Sequence, residues 1–332
     1  MRRHPLKITV FGTGAMGSFF SARLTHLQHK INPSFTVQMF GQWQEQIDAV
    51  SRTGLQLTEK DGTSSIIRLA ATNQLKKIEN TDIALICVKS YQTPKITPQL
   101  VQILSKTGLA ISLQNGLGNK APLVRQLGKK RVVQGLTTQG ATLLRPGYLQ
   151  HAGGGDTICE DNPTNSALLD ELLQHLNSSG IPSFSTLDFK RPFWQKLIVN
   201  AAINPVTALL HLKNGELLNS PVLLNLLKLI VSECIVVART QDLHFEESEL
   251  LEKTISVCKT TAQNNSSMLQ DVLNRRPTEI DAINGAIVRH AKQSGIATPI
   301  NTKLTELLVN TDELPLSIEL LESTLLNLQT GN

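Results

Sequence analysis

At 332 residues the chain is longer than one ordinary hydrophobic core accommodates, which calls for two domains. With 40% hydrophobic and 18% charged residues it is globular rather than disordered, and its four scattered cysteines (Cys87, Cys159, Cys234, Cys258) form no C-x-x-C pair, which excludes a disulfide framework and a zinc site. The formal charge of +5 is dispersed, with Lys129-Lys130-Arg131 as the longest basic run and aromatics at only 4%, so a nucleic-acid surface is disfavoured and attraction of small anionic ligands is the better use of the excess.

In chain order, Arg2 and Arg3 come first, but the apolar stretch behind them is short and already belongs to a strand. A cytoplasmic protein is therefore expected, not an exported one. The run Lys7 to Phe11 leads straight into Gly12-x-Gly14-x-x-Gly17 and then a helix, Ser18 to Leu27. That order suits a dinucleotide. Gly12 permits the tight turn, Gly14 lets a pyrophosphate approach, Gly17 lets helix pack on strand, and the helix N-terminus, with Ala15 and Met16, offers N–H groups to the anion. A plain strand-to-helix turn is the alternative.

Strand-like runs follow at Phe35 to Phe40, Ile66 to Ala70, Ile83 to Val88, Leu109 to Leu113 and Val132 to Leu136, with helical or turn segments between them. This rhythm predicts a doubly wound, mainly parallel α/β sheet of the Rossmann type. Thr142 to Arg145 and Tyr148 to His151 flank Pro146-Gly147, which predicts an antiparallel hairpin closing the far edge of that sheet. Gly153-Gly154-Gly155 reads as a bend. From about Arg191 the pattern turns to helical periodicity, so an all-α domain is expected to follow, with domains 1–188 and 189–332 and a boundary marked by Pro182, Pro192 and the irregular stretch between them. Val222 to Val237 comes nearest to a membrane span but is interrupted by Asn225, Lys228, Ser232 and Glu233. It reads as a buried helix or a subunit contact; a homodimer is the assembly it would serve, and no membrane association is expected.

Three places can carry chemistry. Lys196, Asn200 and Asn204 fall at steps of four on an otherwise apolar helix, and form one narrow polar stripe. The stripe faces either water or an enclosed cleft, and the apolar residues on every other side favour the cleft. Pro205 behind it suggests a kink or break. Pro277 and Thr278 read as a helix start with Glu279 in its first turn, where a carboxylate complements the helix dipole, and Ser267 alone is an ordinary packing or surface serine. Asn115, directly after the strand Leu109 to Leu113, is either a turn asparagine or a residue facing the nucleotide crevice. Lys89, just past Val88, is placed by the same logic to reach a phosphate or ribose.

Taken together, these segments resemble the ketopantoate reductase (2-dehydropantoate 2-reductase) family over nearly the whole chain. The matching stretches are the Gly12 to Gly17 turn, Val88-Lys89, Gln114-Asn-Gly116, Trp194-x-Lys-Leu-x-x-Asn-x-x-x-Asn-Pro205, Asn214-Gly-Glu-Leu217, Ser267-Met-Leu-Gln-Asp271 and Thr278-Glu-Ile-Asp-x-Ile-Asn-Gly285. The resemblance implies a Rossmann domain joined to a helical one, and NADPH-dependent reduction of ketopantoate to (R)-pantoate in pantothenate synthesis. It implies Lys196 as catalytic lysine and Glu279 as its acidic partner. Asn115 matches the residue near nicotinamide and substrate; Asn200, Asn204, Asn214 and Ser267 match substrate-holding positions, and Asp271 a supporting one.

One departure stands out. Where the family commonly has a basic residue for the 2′-phosphate of NADPH, this chain reads Gly41-Gln42, with no carboxylate to favour NADH either. Gln42 can bond either ribose form and Lys89 can supply the charge, so NADPH is the expected cofactor and NADH stays admissible. The connection His29 to Ser34 is long for the pattern. The alternatives are a reductase of another branched 2-oxo acid, an opine-type dehydrogenase and, from a different class, a non-catalytic NADP(H)-binding sensor.

Overall fold

Apolar runs that alternate with amphipathic helices become the strands and helices of a layered α/β unit in the computed structural model, which describes residues 4–30, 34–78, 80–309 and 314–330. Arg2, Arg3 and the middle of the His29 to Ser34 connection lie outside the described residues. The chain folds as two compact units, Met1–Gln114 with Gly118–Phe189, and Asn115–Leu117 with Lys190–Asn332.

The first unit runs β1 (Leu6–Phe11), α1 (Ala15–Lys30), β2 (Phe35–Phe40), α2 (Gln44–Thr53), β3 (Leu55–Thr58), β4 (Ser64–Ile67), β5 (Ala70–Thr72), β6 (Thr81–Ile86), α3 (Thr93–Ile103), β7 (Leu104–Ser112), α4 (Lys120–Leu127), β8 (Val132–Thr137), β9 (Gly140–Arg145), β10 (Tyr148–Gly153), β11 (Thr157–Glu160), α5 (Ser166–Ser178) and β12 (Ser183–Thr186). Its main sheet has the order β12-β11-β8-β7-β6-β1-β2-β5, parallel throughout except for the β8–β11 pair. From β5 to β8 this is the strand order of a Rossmann fold, which reverses direction between β1 and β6. Ile83 to Ile86 of β6 and Leu109 to Ile111 of β7 read as unbroken apolar runs because both faces of the sheet are covered there. Ile83 and Leu85 point into one core with Phe19, Phe20 and Leu172 of α1 and α5, while Ala84 and Ile86 point into the other with Ile96, Leu100 and Leu123 of α3 and α4.

Three expectations are corrected here. The run Ile66 to Ala70 is not one strand: β4 pairs with β3 and β5 with β2, so the chain passes from one sheet to another within it. The hairpin at Pro146-Gly147 forms, but in a separate sheet of order β4-β3-β10-β9, because β10 pairs with β3 and the backbone N–H of Gly147 donates to the buried Gln46 Oε1 (2.8 Å). The stretch between Pro182 and Pro192 contains β12, an edge strand of the main sheet too short to show a pattern.

The second unit is helical among its described residues: α6 (Lys190–Leu210), α7 (Pro221–Arg239), α8 (Glu247–Thr260), α9 (Ser267–Leu273), α10 (Asn284–Gln293), α11 (Pro299–Leu307) and α12 (Ile318–Thr330). Its core gathers Trp194, Ile198 and Val206 of α6 with Leu227, Ile230 and Cys234 of α7, Leu250 of α8 and Leu304 of α11. By length and composition α7 is apolar enough to cross a membrane, yet half of it is buried in this core. The four cysteines are free, and three are fully buried.

Of the kink or break expected at Pro205, a break does not occur; α6 is helical on both sides of it. Proline removes the N–H that would bond the carbonyl four residues back, that of Ala201. The side-chain Nδ2 of Asn284 donates to that carbonyl instead (3.0 Å).

Candidate active site

The glycine turn opens at the carboxyl end of β1, where the strand order reverses. Gly12 has φ +126°, and a Cβ there would lie 3.0 Å from the backbone carbonyl of Cys87 just after β6. A Cβ on Gly17 would lie 1.9 Å from the Gly12 oxygen, so α1 can pack this closely on the turn only through glycine. Gly14 differs: a Cβ there would meet no protein atom within 4 Å. Packing therefore does not require its glycine; a group approaching the turn from outside would. The first-turn N–H groups of Ala15, Met16 and Gly17 have no acceptor within the helix. A pyrophosphate fits this cradle. At the end of β2, a Cβ on Gly41 would come within 2.7 Å of the Thr13 side chain, and the next residue, Gln42, is exposed. Lys89 is half-buried after β6, and its N–H donates to Gln92 Oε1 (3.1 Å).

Gln114, two residues past β7, closes the first segment of the α/β unit. Its Nε2 donates to the Val88 carbonyl (3.0 Å) and to Thr93 Oγ1 (2.8 Å), and its Oε1 accepts from Ser112 (3.0 Å). The next three residues pack with the helical unit. Leu117 N–H donates to the Ala282 carbonyl (2.8 Å), and Gly116, at φ +80°, passes so close that a Cβ would fall 2.3 Å from that same oxygen. A further correction concerns the segment around this contact. The helix expected to start at Pro277 begins only at Asn284, and Glu279 stands in the turn before it, with its own carbonyl accepting from Ala282 and Ile283 N–H. The Ala282 carbonyl faces Leu117 and Gly116 in this turn.

That turn carries Glu279 to Asn115. The amide Nδ2 of Asn115 donates to Glu279 Oε2 (3.4 Å), and its Oδ1 accepts from the Lys196 ammonium (2.9 Å). The cation on one side and the carboxylate on the other settle which way round the amide lies. Glu279 is only 5% exposed. Burial lowers the Lys196 pKa to about 8, against the opposing pull of the Glu279 charge.

The rest of the stripe follows α6: Asn200 is half-buried and Asn204 buried. Ser266 caps α9 through Leu269 N–H and accepts from Thr207 Oγ1 of α6 (2.7 Å), which leaves the half-buried Ser267 in the first position of α9. Asp271 is buried, with Arg276 Nε 3.9 Å from its carboxylate. Asn214 is buried, its Nδ2 donating to Thr261 Oγ1 (2.8 Å) and its Oδ1 enclosed without a partner. The structure thus joins Lys196, Asn115 and Glu279 in one hydrogen-bonded chain and ties Asn214 to the Thr261 loop. Sequence reasoning missed the anchoring role of Gln114 and the part of Asn284 at Pro205. A proline inside an amphipathic helix signals that an outside donor is needed, but not which residue gives it. Among the described residues no three potential metal ligands cluster.

Comparison with known proteins identifies the family. The family described as "Ketopantoate reductase PanE/ApbA" matches residues 8–163, and "Ketopantoate reductase PanE/ApbA C terminal" matches residues 188–311. The chain is 31% identical over 303 residues to the 2-dehydropantoate 2-reductase of Halobacterium salinarum, covering 91% of this chain and 97% of that one. It is 31% identical over 299 residues to the enzyme of the same name from Vibrio cholerae, covering 90% and 95%. Among solved structures it is similar to D-mandelate dehydrogenase in a ternary complex with NADH and anilino(oxo)acetate (TM-score 0.84, 26% identity, 96% of this chain and 99% of that one).

Proposed function

The chain belongs to the ketopantoate reductase family, and from that premise we propose that it reduces 2-dehydropantoate to (R)-pantoate with NADPH, Lys196 giving the proton. The observation that carries this reading is the Lys196 ammonium held on Asn115, with its pKa lowered to about 8. Bound NADPH would supply hydride to the ketone carbon. Negative charge then develops on the ketone oxygen, and a cation that can also release a proton answers both needs. A lysine near pKa 8 is protonated at neutral pH and still gives its proton up readily.

Glu279 serves by orienting the Asn115 amide, which in turn aims the ammonium, and its other lone pairs can accept from a substrate hydroxyl. Asn200, Asn204 and Ser267 offer amide and hydroxyl groups for a carboxylate without adding charge. Asn214, whose Nδ2 also donates to Thr261, joins them as a substrate-holding residue. The residues that would hold the dinucleotide are Gly12, Gly14, Ala15, Met16 and Gly17, with Gln42 at the ribose and Lys89 at a phosphate. This assigns the dinucleotide to residues 1–188 and the 2-oxo acid to residues 189–332 with Asn115.

A second reading has one specific support: Gln42 in place of a basic residue, together with the likeness to an NADH-bound D-mandelate dehydrogenase, favours NADH and a bulkier 2-oxo acid. A panel of 2-oxo acids assayed with NADPH and NADH decides. The highest kcat/KM for ketopantoate with NADPH is expected, a faster aromatic 2-oxo acid with NADH would install the second reading, and binding without turnover of any acid would leave a sensor.

A further inference from the structure

The broken rung of α6 lies inside the polar stripe. Ala201, whose carbonyl Pro205 cannot serve, sits between Asn200 and Asn204, five residues beyond Lys196. A helix that loses a rung there is free to bend, which would shift the Lys196 half of the stripe against the Asn204 half. Asn284 of α10, fully buried, stands at that rung and replaces the missing donor (Nδ2 to Ala201 O, 3.0 Å).

The second hydrogen of the same Nδ2 goes to Asn301 Oδ1 (2.9 Å). With acceptors on both sides, the amide cannot turn over without setting oxygen against oxygen. Asn301 is fixed in turn. Its Nδ2 and its backbone N–H both donate to Glu233 Oε2 (2.7 and 2.9 Å), and Ile300 N–H donates to Oε1 (2.8 Å), so the Glu233 carboxylate of α7 caps the N-terminus of α11. A line of hydrogen bonds therefore runs from the half-buried Glu233 of α7 through α11 and α10 to the rung in α6. The Asn284 Oδ1 is left buried without a partner, so the amide is held in place by what its NH2 does.

We infer that Asn284 is a positioning residue: by standing in for the N–H that Pro205 lacks, it holds Lys196, Asn200 and Asn204 in one register on α6. Its bearing on catalysis rests on the function proposed above; the rung itself does not.

The test is a double-mutant cycle on the full chain with Asn284→Leu, which keeps the branched shape and removes the donor, and Pro205→Ala, which restores a backbone N–H to Ala201. Asn284→Leu alone is expected to lower the thermal midpoint by roughly 5 °C. It should also reduce kcat/KM for ketopantoate by about tenfold to a hundredfold, with KM raised and the NADPH dissociation constant unchanged. In the double variant both losses should be largely recovered. If Pro205→Ala recovers neither, the rung is not what Asn284 supplies and the inference fails. A midpoint that falls while kcat/KM of the folded protein stays at its original value also overturns the positioning role. Should the unmodified protein reduce no 2-oxo acid, the proposed function falls, while recovery of the midpoint by Pro205→Ala still supports the rung and its absence still refutes it. If Asn284→Leu does not fold alone, folding of the double variant supports the inference and failure of both overturns it.

Discussion

Asn115 stands between Lys196 and Glu279, accepting from the ammonium at 2.9 Å and donating to the carboxylate at 3.4 Å. One neutral amide thus links the ammonium to the carboxylate. Removing the amine is expected to be costly: Lys196→Ala should lower kcat by about a hundredfold to ten-thousandfold, the usual range for a general acid. Its NADPH dissociation constant, followed by fluorescence, should not change, because the glycine turn is built without Lys196. Unchanged turnover would remove the lysine from the mechanism.

The pH profile should report the same amine. Its pKa is lowered to about 8, so the protonated form, which the proposed mechanism uses as acid, predominates below that pH and is lost above it. kcat/KM should therefore fall on the alkaline side with a midpoint near 8. Glu279 favours the charged amine, so Glu279→Gln should move this limb to lower pH, and Asn115→Asp, which adds a negative charge beside the ammonium, should move it to higher pH. A limb that moves in the same direction in both variants would contradict the assignment.

Legibility in the sequence tracked the range of the interaction. The core strands of the main sheet and the glycine turn were readable because their signals are local: apolar runs of strand length, and glycines at fixed spacing. β12 was not, since four residues at a sheet edge carry no period of their own. The same limit explains α6. Its apolar sides and polar stripe were visible as periodicity, whereas its continuity through Pro205 depends on Asn284, 83 residues away in the chain from the carbonyl it serves. Glu279 was recognisable as a candidate from its motif, yet it stands in a turn whose Ala282 carbonyl meets Leu117, 165 residues earlier, which no helix-start rule anticipates.

The two glycines of the turn should separate folding from binding. A Cβ at Gly17 collides with the Gly12 oxygen at 1.9 Å, so Gly17→Ala should lower the thermal midpoint and give a poor yield of folded protein. At Gly14 nothing lies within 4 Å, so Gly14→Ala should melt close to the original protein while binding NADPH at least about tenfold more weakly. Tight NADPH binding by Gly14→Ala would mean that the pyrophosphate does not rest on this turn.

Cofactor choice should be adjustable at the exposed residue after β2. Gln42 gives the 2′ position a neutral hydrogen-bonding group, whereas a guanidinium there would pair bidentately with a phosphate. Gln42→Arg is therefore expected to tighten NADPH by about tenfold to a hundredfold, the range of a charge-assisted hydrogen bond, and to leave NADH nearly unchanged. Binding isotherms for both cofactors on both proteins make the comparison. The complementary variant, Lys89→Ala, asks whether the original chain already neutralises a phosphate from β6: it should weaken NADPH more than NADH if Lys89 carries that charge. Equal weakening of the two would place Lys89 on a group they share, and NADPH preference would then have to come from Gln42 alone.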